Sequence, residues 1–228
     1  MNQLLKDLNE PQKEAVLSTE GPVLMLAGAG SGKTKALTHR IAYLVAIKGV
    51  QPNQILAVTF TNKAAGEMRE RVLRLIGRRD SDRQYFPFAG TFHSICLRML
   101  RKDGSHIGLA SNFTIFDASD SLAAVKQAMR QLGVDEKQFN PNLIGGLISS
   151  AKNELIGPNQ YSEHARGGAQ EVAAKVYPVY QRTLTQASAL DFDDIIMKTV
   201  QLLKNKELLE KWQAQFPYIL IDEYQDTN

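Results

Sequence analysis

The sequence predicts an α/β protein built on a parallel sheet. Three observations support this prediction: short apolar runs recur along the chain, amphipathic helical stretches follow them, and polar residues suited to ligand binding stand directly after the runs. The apolar runs cover residues 23–26, 55–59, 88–90 and 218–221. Because the carboxyl ends of parallel strands meet at one edge of a sheet, a ligand site is expected at that edge.

Length and composition set broad limits. At 228 residues the chain can form one large or two modest domains with a real core. The net charge of +3 is slight, so a nucleic-acid-binding surface would have to be local. The single cysteine, Cys96, fits a small core residue in a reducing compartment and excludes an internal disulfide framework. With no signal-like or membrane-spanning stretch, the sequence predicts a soluble, cytoplasmic protein that makes no membrane contact.

The run 23–26 is expected to be a buried strand that leads into a glycine-rich loop. The loop reads Ala27-Gly28-Ala29-Gly30-Ser31-Gly32-Lys33-Thr34. Glycines let successive backbone N–H groups face one anion, and the helix that follows directs its positive end at the same point. Lys33 could reach the outer phosphates of a nucleotide and Thr34 could ligate Mg²⁺. Ala27 stands where a strict P-loop has glycine, and the alternative is a turn that binds nothing.

The last apolar run ends in two carboxylates. Residues 218–221 read as a strand, and Asp222 and Glu223 follow it directly. Asp222 would hold Mg²⁺ and Glu223 would deprotonate an attacking water. A strand ending in surface acids is the alternative. Two half-sites at the ends of two predicted strands make hydrolysis of a nucleotide the working hypothesis, with ATP and Mg²⁺ as ligands.

Aromatic and polar residues follow the other two runs. Phe60, Thr61 and Asn62 come after 55–59, and Thr91 and His93 come after 88–90. An aromatic ring can stack on a base while hydroxyl, amide and imidazole groups hold the sugar-phosphate backbone. The alternatives are a core phenylalanine beside a helix N-cap and a histidine that merely starts a helix.

The middle of the chain reads as helical, with a brief strand at 113–116 and no evident chemistry. It is expected to be an all-helical domain inserted into the α/β sheet, because sheet-type runs return only near residue 218. Asp191, Asp193 and Asp194 then form an acidic cluster that would suit a metal-dependent nuclease. The favoured interpretation is that Asp191 caps the next helix while the other two face solvent or pair with basic side chains.

Six segments, in this order, resemble superfamily 1A DNA helicases of the PcrA/UvrD/Rep group. They are Leu8-Asn9-x-x-Gln12, residues 27–34, 59–65, 90–94, 190–194 and Asp222-Glu223-Tyr224-Gln225-Asp226. The resemblance implies a RecA-like P-loop NTPase domain 1A formed by residues 1–104 and 189–228. Residues 105–188 would form the inserted helical domain 1B.

The resemblance also implies roles for individual residues. Gln12 would recognise adenine, residues 27–34 and Lys35 would hold the nucleotide, and Thr34 and Asp222 would ligate Mg²⁺. Lys33, Asp222 and Glu223 would be catalytic. The residues expected to contact single-stranded DNA are Phe60, Thr61, Asn62, Thr91, His93 and Phe192.

The expected activity is that of an ATP-dependent 3′→5′ DNA helicase or translocase in DNA repair and replication, acting on single strands and on single-strand/duplex junctions. Such helicases need a second RecA-like domain, which lies outside these 228 residues, so the chain alone is expected to bind nucleotide weakly and to unwind nothing. The alternatives are a RecB/AddA-type recombination helicase–nuclease, a P-loop kinase and a DNA-binding module that is independent of nucleotide.

Overall fold

A computed structural model describes residues 2–28, 30–79 and 83–227. The strands are β1 (Ile55–Thr59), β2 (Ala89–Thr91), β3 (Thr114–Ile115), β4 (Ala189–Leu190) and β5 (Tyr218–Ile221). The helices are α1 (Asn2–Leu5), α2 (Glu10–Leu17), α3 (Lys33–Ala46), α4 (Asn62–Leu75), α5 (Phe92–Asp103), α6 (Ala118–Gln131), α7 (Pro141–Asn153), α8 (Pro158–His164), α9 (Gly168–Gln186), α10 (Phe192–Leu203) and α11 (Lys206–Gln215).

The chain forms two compact units. The first, called the sheet unit below, comprises Met1–Ile95 and Leu209–Asn228, and the second, the helical unit, comprises Cys96–Leu208. The predicted division into domain 1A and an inserted domain 1B, with boundaries at residues 104 and 188, stays a prediction, since the two units are defined by compactness alone. No helix in the described ranges is long and apolar enough to cross a lipid bilayer.

The sheet unit contains a three-stranded parallel sheet in the order β2–β1–β5. Val58 of the central strand is in register with Gly90 of β2 and with Ile221 of β5. Four of the five β1 residues are buried, as expected for a parallel strand with neighbours at both edges. Helices α3 and α4 complete the core, whose buried residues are Ile41, Leu44, Ile55, Ala57, Met68, Val72, Leu73, Phe86, Ala89 and Leu220. The prediction of an α/β protein with a parallel sheet is confirmed.

One predicted strand is absent. Residues 23–26 have no strand conformation and pair with none of the described strands. Leu24 is 66% exposed and Leu26 is 86% exposed, so the expectation of a buried strand was wrong. A strand needs a neighbour for its backbone hydrogen bonds, and residues 23–26 pair with neither outer edge of the β2–β1–β5 sheet. Apolar composition alone does not provide that neighbour.

The parallel sheet brings three loops to one edge. β1, β2 and β5 run in the same direction, and Thr59 at the end of β1 is in register with Thr91 at the end of β2. On the other side of β1, the N–H of Asp222 donates to the carbonyl oxygen of Val58 at 2.9 Å. The residues that follow all three strands therefore lie side by side, as the parallel arrangement predicts.

The helical unit has a separate core between α6, α7 and α9. Its buried residues are Ala124, Val125, Ala128, Met129, Ile144, Ile148, Ala151, Ala173, Val176, Tyr177, Tyr180 and Leu184. Local capping residues start two of these helices. Asp117 accepts the N–H groups of Ser119 and Asp120 at the start of α6, and Asn140 caps α7 with Pro141 in its first turn.

The expectation of an all-helical middle region needs one correction. Residues 105–188 include β3, which pairs in parallel with β4, so that Thr114 is opposite Ala189 and Ile115 is opposite Leu190. The sequence indicated a brief strand at 113–116 but gave no sign of β4. A strand of two residues is too short to show the alternation by which strands are recognised.

Candidate nucleotide site

The glycine-rich loop turns sharply before α3. Gly30 and Gly32 have φ angles of +74° and +85°, in the left-handed region that favours glycine. The N–H and the hydroxyl of Ser31 both donate to the carbonyl oxygen of Gly28, at 3.3 Å and 2.6 Å. Gly32 is the N-cap of α3 and has no side chain with which to cap it, so the first N–H groups of α3 can bind an anion. Ala29 of the predicted loop lies outside the described residues.

Lys33 extends back over the loop. Its ammonium group donates to the carbonyl oxygens of Ala27 at 3.1 Å and Gly28 at 3.4 Å. Both acceptors are neutral, and an ammonium group binds more strongly to an anionic oxygen. The Lys33 ammonium is therefore placed where a bound phosphate group would displace these carbonyl contacts.

Thr34 and Asp222 meet although 188 positions separate them in the sequence. The Thr34 hydroxyl donates to Oδ2 of Asp222 at 3.4 Å. Burial raises the pKa of the Asp222 carboxyl, the neighbouring charge of Glu223 raises it further, and the Thr34 hydroxyl and Lys33 act in the opposite direction. A hydroxyl and a carboxylate oxygen are hard ligands of the kind that Mg²⁺ prefers, so the two residues fit the metal predicted here.

Glu223 has a strained backbone. Its φ of +53° and ψ of +52° lie in the left-handed region, which is uncommon for a residue other than glycine. Its carboxylate accepts a hydrogen bond of 2.6 Å from the Nε2 group of Gln225. A backbone conformation of this kind costs about 1–3 kcal/mol, and residues that adopt one cluster at functional sites. The turn directs the chain away from β5 and fixes the Glu223 carboxylate through Gln225.

Gln12 is held at both ends of its amide group. Its Oε1 accepts the N–H of Asn9 at 3.2 Å, and its Nε2 donates to the carbonyl oxygen of Ser31 at 2.8 Å. A Cβ atom added to Gly32 would lie 2.6 Å from Nε2 of Gln12. The segment expected to recognise adenine therefore packs directly on the phosphate loop. The Lys35 side chain contacts a different segment, since its ammonium group donates to the carbonyl oxygen of Asp7.

Two aromatic rings lie at the same edge of the sheet. Phe60 follows β1 and Phe92 follows β2, and their ring centroids are 5.5 Å apart with 55° between the planes. Phe60 is 41% exposed, so the alternative of a core phenylalanine does not hold. The same alternative included a helix N-cap beside the phenylalanine, and Thr61 is that cap, since it accepts the N–H of Ala64 at 3.1 Å at the start of α4. The first residue of α4 is Asn62.

The remaining predicted DNA contacts lie in two places. Thr91 is the last residue of β2 and accepts the N–H of Ser94 at 3.3 Å, and His93 is in the first turn of α5. These two residues adjoin the pair of aromatic rings. Phe192 belongs to the helical unit, where it is the first residue of α10 and is 52% exposed.

The acidic cluster beside Phe192 is an ion-pair network. Asp191 caps α10 by accepting the N–H of Asp194 at 2.7 Å, as predicted. Both carboxylates bind the ammonium group of Lys152, at 2.7 Å for Asp191 and 2.9 Å for Asp194. The described residues contain no group of three or more histidine, cysteine, aspartate and glutamate side chains that could hold a metal ion. Because Asp191 and Asp194 are paired with Lys152, the acidic cluster does not offer the metal ligands that the nuclease interpretation requires.

Comparison with known proteins agrees with this geometry. The family model of the UvrD/REP helicase N-terminal domain matches residues 8–228. The chain belongs to this family. It is 51% identical over 228 residues to the ATP-dependent DNA helicase PcrA of Bacillus subtilis (strain 168), covering all of this chain and 30% of that protein. It is 49% identical over 229 residues to the ATP-dependent DNA helicase PcrA of Staphylococcus aureus (strain Mu50 / ATCC 700699), covering all of this chain and 31% of that protein.

The resemblance to the helicase group that the sequence indicated is therefore confirmed. The chain spans about 30% of the length of the curated relatives it matches. Within this UvrD/REP helicase N-terminal domain, the roles given to individual residues stay predictions, and so do the adenine contact of Gln12 and the nucleotide contact of Lys35.

The structure adds three residues that sequence reasoning did not assign to a site. Phe92 stands after β2 as Phe60 stands after β1, and that parallel position was the signal available for it. Gln225 orients Glu223 from two positions away and belongs to one of the segments that carry the resemblance. Lys152 is different, because nothing near it in the sequence indicates that it is buried between two carboxylates.

Proposed function

We propose that this UvrD/REP helicase N-terminal domain is the ATP- and single-stranded-DNA-binding part of an ATP-dependent 3′→5′ DNA helicase or translocase that acts in DNA repair and replication. The observation that supports the proposal best is the contact between Thr34 and Asp222 at 3.4 Å. It joins a phosphate-type loop to the acidic end of β5, at the edge of the sheet that also holds Phe60 and Phe92.

For the nucleotide, each residue has a task that its chemistry supports. The N–H groups at the start of α3 and the Lys33 ammonium would bind phosphate oxygens. Thr34 and Asp222 would hold Mg²⁺, which when bound neutralises charge on those oxygens. Glu223, fixed by Gln225, would orient the attacking water and accept its proton. Gln12 would link the base to the loop, because its amide already contacts Ser31.

For DNA, the sheet edge offers stacking surfaces and polar groups next to one another. The ring of Phe60 would stack on a base, supported from behind by the tilted ring of Phe92. The hydroxyls of Thr61 and Thr91 accept helix N–H groups, and each hydroxyl proton can still donate to a phosphate oxygen. Phe192 would provide a further stacking surface on the helical unit.

We also propose that these 228 residues by themselves hydrolyse ATP slowly and do not unwind duplex. The curated relatives are more than three times as long, since the chain covers 30% of the Bacillus subtilis PcrA helicase. In related P-loop enzymes an arginine supplied from elsewhere accelerates hydrolysis by about 10³–10⁵. Strand separation further needs domains that close and open around the nucleotide.

The test measures binding of a fluorescent ATP analogue with Mg²⁺, and binding of labelled oligo(dT) with and without ATP, for the native chain and four variants. Lys33→Ala should abolish nucleotide binding. Lys198→Ala is the lysine control, because the Lys198 ammonium donates to the side chain of Gln201 at 3.0 Å and lies in none of the proposed binding sites. Glu223→Gln should keep nucleotide binding and lose the residual hydrolysis. Phe60→Ala should weaken oligo(dT) binding.

Two of the alternatives predict different results. A DNA-binding module would bind oligo(dT) equally well with Lys33→Ala and without ATP. A P-loop kinase would bind ATP, ignore oligo(dT) and transfer phosphate to an acceptor other than water. Rapid hydrolysis by the native chain, or unwinding of a tailed duplex, would contradict the proposal that these residues are slow on their own.

A further inference from the structure

Lys152 is a buried lysine near the end of α7. Its side chain is 0% exposed, and its ammonium group lies 2.7 Å from Oδ2 of Asp191 and 2.9 Å from Oδ1 of Asp194. The two carboxylates are 8% and 1% exposed. A buried charge has to be paired and hydrogen-bonded, and here one cation serves two acids at once.

The other polar atoms of this cluster are also engaged. The Tyr180 hydroxyl of α9 donates to Oδ2 of Asp191 at 2.7 Å, and Oδ1 of Asp191 accepts the N–H of Asp194 at 2.7 Å. Nε2 of Gln181 donates to Oδ2 of Asp194 at 3.1 Å. The cluster therefore ties the first turn of α10 to α7 and to α9 through both of its fixed carboxylates.

Phe192 lies between these two anchors in the sequence. It is 52% exposed, whereas Asp191 before it and Asp194 after it are buried. The carboxylate of Asp193 is held more loosely, by Nδ2 of Asn153 at 3.4 Å. Phe192 and Asp193 also line a cavity of about 410 Å³ beside α7. An exposed ring thus stands on a backbone turn that is fixed from two directions.

An ionic cluster of this kind is a costly way to hold three helices together. Apolar side chains of similar volume often give equal or greater stability than a buried ion pair, because taking charges out of water costs several kcal/mol for each ion. The charges add a defined geometry, because hydrogen bonds to carboxylates fix distances and angles that apolar packing leaves adjustable. A defined backbone geometry matters most where a neighbouring side chain has to be held in one orientation.

We propose that Lys152, together with Tyr180, is a positioning residue that holds the first turn of α10 so that the Phe192 ring is presented to a base of single-stranded DNA. The inference rests on the proposed function for the DNA contact of Phe192. Lys152 and Tyr180 themselves touch no DNA. They act through Asp191 and Asp194.

The test uses the whole chain and a tyrosine pair on α9. Lys152→Met leaves two buried carboxylates without their cation and should destabilise the whole helical unit, so Tyr180→Phe carries the test. It removes one hydrogen bond to Asp191 and changes no charge. Tyr177→Phe is the matched control, because the Tyr177 hydroxyl donates to the carbonyl oxygen of Ile156 at 3.1 Å and not to the cluster.

Amide hydrogen exchange gives a measurement that does not involve DNA. Tyr180→Phe should accelerate exchange at the amides of Asp194 and Ile195 about tenfold, since these amides are bonded to the Asp191 side chain and carbonyl oxygen. Tyr177→Phe should leave both rates unchanged. Unchanged rates in Tyr180→Phe would overturn the inference, whatever the DNA measurements show.

Oligo(dT) affinity then tests whether the effect passes through Phe192. Phe192→Ala should weaken binding roughly 5- to 150-fold, the range for one stacked base. Tyr180→Phe should weaken it about threefold to tenfold in the native background and less than about twofold in the Phe192→Ala background. An equal loss in both backgrounds would overturn the inference and leave the cluster with a purely structural role. No loss on Phe192→Ala would instead contradict the proposed DNA contact itself, and the inference with it.

Discussion

The ion cluster of the helical unit predicts a large loss of stability from one substitution. Lys152→Met keeps the apolar stem of the side chain and removes its ammonium group. That group lies 2.7 Å from Asp191 and 2.9 Å from Asp194, and its side chain is 0% exposed. Two carboxylates would then share a buried site with no cation between them.

The size of the loss follows from the burial. Removing one partner of a buried ion pair destabilises a protein by about 3–5 kcal/mol, because the other charge is left uncompensated. Two acids are left here, but Tyr180 and Gln181 still donate to them, so a value within that range is expected. At about 2–4 °C for each kcal/mol in a chain of this size, the melting temperature should fall by roughly 6–20 °C.

The assay is urea and thermal unfolding followed by circular dichroism, with an exposed ion pair of the same unit as the control. Nε of Arg130 lies 2.9 Å from Oε1 of Glu136, a distance like those in the cluster, but the Arg130 side chain is 72% exposed. Arg130→Met should cost less than about 1 kcal/mol. If Lys152→Met cost no more than Arg130→Met, the argument that burial makes the cluster indispensable would be refuted.

Three further predictions concern other residues. Gly146→Ala should raise the free energy of unfolding by about 0.5–1 kcal/mol in urea titrations, because Gly146 lies inside α7 and an added Cβ would meet nothing within 4 Å; a loss of stability would show that the glycine is needed for packing. Burial raises the pKa of Asp222, so protons should displace Mg²⁺ from it at a higher pH than from an ordinary aspartate. On acidification, Mg²⁺-dependent nucleotide binding should therefore weaken at a higher pH than such an aspartate would give, and Asp222→Asn should remove this pH dependence. Gly32→Ala should weaken nucleotide binding at least tenfold by fluorescence titration, since φ is +85° and the Cβ would press on Gln12. The control Gly66→Ala, inside α4 and with open space around the added Cβ, should bind nearly normally.

The starts of helices were predictable from the sequence because their causes are local. Asp191 was expected to cap a helix and does so, and Asp117 and Asn140 are caps of the same kind, each accepting an N–H group two or three residues ahead. The central strand β1 was equally clear, since a strand paired at both edges is buried along its length. Capping and continuous burial both depend on residues that are close together in the chain.

Features that depend on distant partners were not predictable. Residues 23–26 have the composition of a strand, but a strand forms only where a neighbouring strand offers hydrogen bonds, and the sequence does not show which edges are free. Lys152 meets Asp191 across 39 residues, and a lysine near the end of an amphipathic helix is ordinarily expected to be solvated. The acids had been assigned a helix cap and possible basic partners, but not the partner that they have.

The candidate site residues of the sheet unit could be predicted from the sequence for a physical reason. Thr91 ends β2 and Thr61 lies two residues after β1, and each directly precedes a helix whose N–H its side-chain oxygen accepts, at 3.1 Å for Thr61 and 3.3 Å for Thr91. The hydroxyl proton of each remains able to donate to a ligand at the carboxyl edge of the sheet, where parallel strands already gather binding groups. A residue that starts a helix at this edge is therefore both a local structural signal and a candidate ligand contact. In the helical unit, Phe192 also starts a helix, but the groups proposed to orient it come from α7 and α9, so its support could be recognised only once the helices were seen packed together.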